Sequence, residues 1–295
     1  MKRIYLVACC LAICLFLCSC TSVLCSGEDY RLYRTDGKYY IQFHTEYSHE
    51  KFMASLPQEL PSSFYPTYAS VFELQEALLG GKVPYYALAG LNSKAATEPL
   101  EILNPERLYD VKLPDGLAVE AVQWKGDRYD FLIPEVRIET EPVYDAPPGV
   151  QYTQYAQAVE VCVLSRGEYE RVLMEQYQNA GIDNSCVTLE LEQHSYRNSK
   201  MLRYSTGSGS DTTYYAAYFY EFQTPQGVRY ICETHKLPGE AVTDIMSTGI
   251  AYHIDPVVHM LWSDGDGYFW VKATLQNMSV TDEWINGFQM LSVEQ

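Results

Sequence analysis

Three short stretches of the chain carry side chains that could bind a metal or move a proton. His44-Thr-Glu46-Tyr-Ser-His49-Glu50 gathers imidazole and carboxylate ligands within seven residues, a donor set that suits zinc. The spacing is not HExxH, and His44 closes one strand-like stretch while His49 opens another segment, so it reads as a surface turn. His253-Ile-Asp255 followed by His259 offers an acid–base pair, because an aspartate can orient a histidine tautomer. No motif ties a serine or cysteine nucleophile to it, and these histidines are expected to be structural or exposed. Asp264-Gly-Asp266-Gly-Tyr268 has the alternating carboxylates that open a calcium loop. The bidentate glutamate that such a loop needs at its twelfth position is replaced by Leu275. An Asp/Gly hairpin turn explains the same residues, and Asp264 and Asp266 stand as the one calcium candidate, with no other metal expected.

Other chemistries lack their motif altogether. Neither a Walker A pattern nor GxGxxG occurs, and Gly207-Ser208-Gly209-Ser210 lacks the lysine of a phosphate loop. There is no G-x-S-x-G nucleophile elbow. No catalytic residue and no cofactor is therefore assigned.

The elements that would position a site are mostly strands. Tyr30–Phe43 alternates aromatic and polar residues about Asp36-Gly37, the pattern of a tight hairpin. Ser70-Val-Phe-Glu73 is a capping box, followed by Phe72, Leu74, Leu78 and Leu79 at near-helical spacing and stopped by Gly80-Gly81. Leu117–Trp124 and Tyr129–Ile133 form a second hairpin. Beyond Asp145-Ala-Pro-Pro-Gly149, the spacing predicts a buried strand over Ala158–Leu164 and a helix capped at Ser165, with Tyr169, Val172, Leu173 and Tyr177 on one face and ended by Ala180-Gly181. A strand over Val187–Gln193 and a Gly/Ser-rich loop over Thr206–Thr213 follow. Tyr214–Thr224 with Val228–Thr234 is a hairpin, another surrounds Trp262 and Phe269–Leu275, and a short helix over about Thr281–Leu291 closes the chain. The expected class is α+β, mostly antiparallel sheet with a few packed helices. Repeated βαβ alternation is missing, which disfavours a two-lobed solute receptor. Two prolines and a glycine at 147–149 suit neither helix nor central strand, so a division into lobes 30–144 and 150–295 is expected there.

Tyrosine is over-represented, 26 against 10 Phe and 4 Trp, which points to sheets whose rings are half-buried or offered to a ligand. Strand alternation puts Tyr218, Tyr220 and Phe222 on one face, the candidate binding face for a glycan or an envelope protein. Of the cysteines beyond residue 20, Cys162 and Cys232 sit in apolar strand-like stretches as small core residues, and Cys25 lies near the N-terminus. One disulfide among Cys162, Cys186 and Cys232 remains open.

Lys2 and Arg3 precede an uncharged run, Ile4–Leu17, of fourteen residues, closed by Leu17-Cys18-Ser19-Cys20. The run is shorter than the ~20 apolar residues a membrane span needs and fits the core of a removed signal. The segment resembles a bacterial lipoprotein signal, which implies cleavage of residues 1–19, lipid on Cys20 and a tether over 20–29. An ordinary signal cut near Ser22 or Ser26, or an uncleaved anchor extended by Val23 and Leu24, fits the same core. Cleavage before Cys20 removes Lys2 and Arg3 without an acid and takes the net charge from −17 to −19. So acidic a chain repels nucleic acid and shows no basic patch for anionic lipid, leaving the lipid on Cys20 as its hold on the membrane. The expectation is a lipid-anchored extracytoplasmic binding or interaction protein of the cell envelope. The alternative is a glycan-active envelope hydrolase whose carboxylates are dispersed.

Overall fold

Asp36 and Gly37 both have positive φ, 53° and 78°, as a two-residue turn between twisted strands requires. β2 (Tyr30–Thr35) and β3 (Lys38–Phe43) consequently pair from Thr35 opposite Lys38 to Tyr30 opposite Phe43. The computed structural model describes residues 21–28, 30–44, 65–83, 99–139, 154–173, 191–240, 256–265 and 267–293. The chain forms two compact units, residues 1–108 with 123–128 and 293–295, and residues 109–122 with 129–292.

In the first unit β1 (Ser22–Ser26) and β5 (Leu100–Ile102) flank the hairpin, giving the order β1-β2-β3-β5. Residues 22–26, expected to be tether, are thus a strand. Val23 pairs with Tyr33 and Cys25 with Leu32, across a bulge at Leu24. The physical reason is the apolar run Val23-Leu24-Cys25 meeting the open edge of β2, whose N–H and C=O groups need partners. Cys20 lies outside the described residues.

β4 (Thr67–Tyr68) precedes helix α1 (Val71–Leu79). Ser70 Oγ accepts the Glu73 N–H at 3.3 Å, and the Glu73 carboxylate accepts the Ala69 N–H at 2.9 Å, a capping box displaced by one residue. Val71, Leu74 and Leu78 are buried, Phe72 is 53% exposed, and the Tyr30 hydroxyl donates to the Leu78 carbonyl at 3.2 Å. Gly80 keeps a helical-side φ of −83°; the left-handed residue is Gly81, at +68°. A Cβ on Gly81 would stand 2.8 Å from the Gly27 Cα, so two backbones meet where no side chain fits. Gly81→Ala is expected to cost on the order of 2–3 kcal/mol in a denaturant titration, from left-handed strain plus this clash. A loss under about 0.5 kcal/mol would mean that the two segments separate freely.

The second unit holds β6 (Tyr109–Lys112), residues 121–122 of β7 (Ala121–Trp124), residues 129–132 of β8 (Arg128–Leu132), β9 (Val136–Glu139), β10 (Gln154–Leu164) and helix α2 (Arg166–Leu173). There follow β11 (Glu192–Gln193), β12 (Lys200–Thr206), β13 (Thr213–Thr224), β14 (Gly227–Leu237), β15 (Val257–Asp264), β16 (Gly267–Gln276), helix α3 (Asp282–Gly287) and β17 (Gln289–Ser292). The main sheet runs β11-β12-β13-β14-β15-β16-β10-β8-β7, with β9 also paired to β10 and β17 paired to β6. The long hairpins β13–β14 and β15–β16 are antiparallel, as is β10 against β16. The architecture is mostly antiparallel sheet with few helices.

Two points differ from the sequence reading. Asp145–Gly149 lie outside the described residues, but the strands on either side, β9 and β10, pair antiparallel within one unit. The two compact units part after residue 108, with 123–128 and 293–295 returning to the first. The closing helix is six residues long, capped by the Thr281 hydroxyl accepting the Trp284 N–H at 3.1 Å. It ends at Gly287 because Phe288 is extended, with ψ 115°, and fully buried, which sends the chain into β17 against β6. As expected of small core residues, Cys162 and Cys232 are buried free thiols; Cys25 is also free, and Cys186 lies outside the described residues. Among the described residues no helix is long and apolar enough to cross a membrane.

Candidate functional site

The β13–β14 register decides what the tyrosine face meets. Tyr218 stands opposite Glu233 and Tyr220 opposite Ile231, and directly opposed residues share a face. Glu233 and His235, two residues apart on β14, therefore project among the tyrosines. Glu233 is 1% exposed. Its carboxylate accepts from the Tyr220 hydroxyl at 3.0 Å, the Tyr196 hydroxyl at 3.1 Å and His235 Nε2 at 2.7 Å. Three donors compensate the desolvation that an unpaired buried carboxylate would suffer. The bond to Glu233 requires the His235 proton on Nε2.

A single 3-10 turn, Tyr196–Asn198, between β11 and β12 closes this face. The Tyr196 ring meets Tyr218 edge-on at 5.4 Å, and the Arg197 guanidinium lies 5.3 Å over Tyr220 and 5.6 Å over Phe222. Arg197 is held by the Val280 carbonyl at 2.9 Å and Asp282 at 2.8 Å. Arg197 and Asn198 both have positive φ, 48° and 52°, a strain of order 1 kcal/mol or more each that these bonds and ring contacts offset.

Burial, then the Glu233 charge, push the Tyr196 phenol up to about 12 and the Tyr220 phenol higher still. Both remain neutral donors. Three of the carboxylate's roughly four lone-pair sites are taken, and these bonds tie β14 to β13 and to the 196–198 turn. Tyr218 and Tyr220, proposed from alternation as a ligand face, do share a face with Phe222. They are 0% and 3% exposed, while Phe222 is half-buried beneath Arg197. The covering residues Tyr196 and Arg197 and the buried pair Glu233 and His235 were not among the sequence candidates. The only local signal was a Glu-x-His pair in a strand whose neighbours are apolar.

The opposite face of the same strands is more open. Cross-strand Tyr204 and Tyr215 stack at 5.0 Å with planes 15° apart, and both are half-buried. Leu202, Ala217, Phe219 and Cys232 pack beneath and beside them. Toward β16, His259 and Trp270 stack at 5.9 Å and 12°, with Trp270 Nε1 donating to His259 Nδ1 at 3.3 Å. Lys272, opposite His259, reaches Glu160 at 3.5 Å. At the far end α2 covers the sheet, burying Tyr169 and Val172 against Leu164 and Leu261. Between the two ring pairs Thr234 and Val257 are half-buried, so the sheet there presents rings, a hydroxyl and one ion pair to solvent.

The other sequence candidates are dispersed. His44 is exposed and its Nε2 lies 3.5 Å from the Ser26 hydroxyl, while Glu46, His49, His253 and Asp255 lie outside the described residues. Asp264 ends β15 opposite Gly267, in the hairpin expected of it, and Asp266 lies outside the described residues. No group of three metal-ligating side chains occurs among the described residues. Compared with known proteins, the chain matches no family model, no curated protein and no solved structure.

Proposed function

We propose that the protein is a lipid-anchored binding protein of the extracytoplasmic face of a bacterial envelope, a β-dominated α+β chain that holds its ligand on an aromatic sheet face. The observation that carries the reading is the pair of stacked ring pairs, Tyr204–Tyr215 and His259–Trp270, half-buried on one face of the second unit. Planar rings supply large, rigid contact area at low entropic cost, and their faces suit the apolar faces of sugar rings. Glu233 supports binding over hydrolysis, since its three bonds commit it to structure. The address rests on Leu17-Cys18-Ser19-Cys20.

Co-sedimentation with purified peptidoglycan sacculi and a glycan array tests the ligand class. The wild type is expected to be retained, and Tyr204→Ala with Tyr215→Ala to weaken retention about tenfold while costing only about 1 kcal/mol per ring in stability. Equal retention of wild type and variant, or none by either, refutes the face. Intact mass of the membrane-extracted protein tests the address: the expected species begins at a lipidated Cys20, and an unmodified chain beginning at Ser22 or later refutes it.

A further inference from the structure

The sheet of the first unit has two unlike faces. One carries Tyr30, Leu32 and Ile41, all buried, and packs on α1 through the Tyr30 hydroxyl and the Leu78 carbonyl. The other carries Val23, Arg31 and Tyr40 over Tyr33, which is only 8% exposed, with Lys38 and Glu101 paired at 2.7 Å along it. Val23 is 58% exposed, an apolar side chain on an edge strand. Tyr33 and Tyr40 stack at 5.7 Å, and the Arg31 guanidinium lies 5.2 Å over the Tyr33 ring. Arg31 Nε bonds the neutral Gln42 amide at 3.1 Å, so its charge is not cancelled by that partner. Among the described residues of this face, the cations Arg31 and Lys38 stand with one acid, Glu101, in a chain whose net charge is −17.

We infer that this outer face of β1, β2 and β3 rests on the phospholipid headgroup layer of the membrane that anchors Cys20. The inference rests on the anchoring reading above. Cys20 is two residues from Ser22, where β1 begins, and two extended residues span only about 7 Å. The Thr21 hydroxyl lies 3.4 Å from that of Thr35, which shares the outer face by strand alternation, so the residue next to Cys20 in sequence is held beside that face. An exposed Val, the half-buried Tyr40 and a stacked Arg are side chains that lie favourably at a headgroup boundary. Free in solution so small a surface would adsorb weakly; a lipid a few ångströms away raises its effective concentration to the millimolar range and makes a weak contact populated.

The test is radical footprinting of the full lipidated chain in vesicles of phosphatidylethanolamine and phosphatidylglycerol, against the soluble Cys20→Ala protein. Val23 and Tyr40 are expected to label about threefold less on vesicles, while Phe72, exposed on α1 at the other face, is unchanged. Val23→Asp with Arg31→Glu should float with the vesicles through its lipid yet lose the protection of Tyr40. Wild-type protein that floats but labels Val23 and Tyr40 as fully as Cys20→Ala overturns the docked face and leaves anchoring intact. Wild-type protein that carries no lipid and does not float overturns the anchoring reading, and this inference with it.

Discussion

Replacing Tyr218 and Tyr220 together by alanine is expected to unfold the second unit at room temperature. Their rings are 0% and 3% exposed, and truncating a buried aromatic costs about 3–5 kcal/mol each. The loss extends beyond area. Tyr218 sits edge-on to His194, Tyr196 and His235, and Tyr220 gives Glu233 one of its three hydrogen bonds. Against a typical folding free energy of about 5–15 kcal/mol, the double truncation consumes most or all of it. Tyr220→Phe keeps the ring and deletes one bond to the carboxylate, so it should cost about 1.5–3 kcal/mol and leave the fold intact. Urea titration followed by circular dichroism distinguishes the cases. A double alanine variant as stable as the wild type would mean that the Tyr196–Arg197 turn opens in solution and the tyrosine face is free after all.

A second large effect is expected from acid. The His259 imidazole is held down to about 4, first by burial and then by the Lys272 charge. Trp270 Nε1 donates to Nδ1, which needs the neutral ring with its proton on Nε2. The unfolded chain takes up this proton below about pH 6.5, and the native protein does so only near pH 4. Native stability is therefore complete above about pH 6.5 and falls as pH drops through the window from 6.5 to 4, by an amount on the order of 2–3 kcal/mol. His259→Gln keeps an acceptor for Trp270 and removes this titration. Stability measured at pH 7.5 and 4.5 should fall less in the variant than in the wild type. Equal losses would assign the acid sensitivity to carboxylates alone and place His259 in a well-solvated setting.

The sequence by itself determined the features that are settled within a few residues of one another. Asp36-Gly37 makes its turn, Ser70 and Ser165 cap their helices through the N–H groups of Glu73 and Glu168, and Gly265 turns the β15–β16 hairpin with φ 59°. The period of two likewise put Tyr218, Tyr220 and Phe222 on one face, since alternation is a property of the strand alone. Which face is covered is not local. Tyr196 and Arg197 reach Tyr218, Tyr220 and Phe222 from a separate connection, and Glu233 joins them only because β14 pairs with β13 in one particular register. The same reason turned the stretch at 22–26 from tether to strand, and joined β9 to β10 across the Pro147-Pro148 break. A strand is stabilised by the partner that completes its hydrogen bonds, and a ring is core or platform according to what lies above it. Both depend on residues far away in sequence, and only the tertiary structure brings those together.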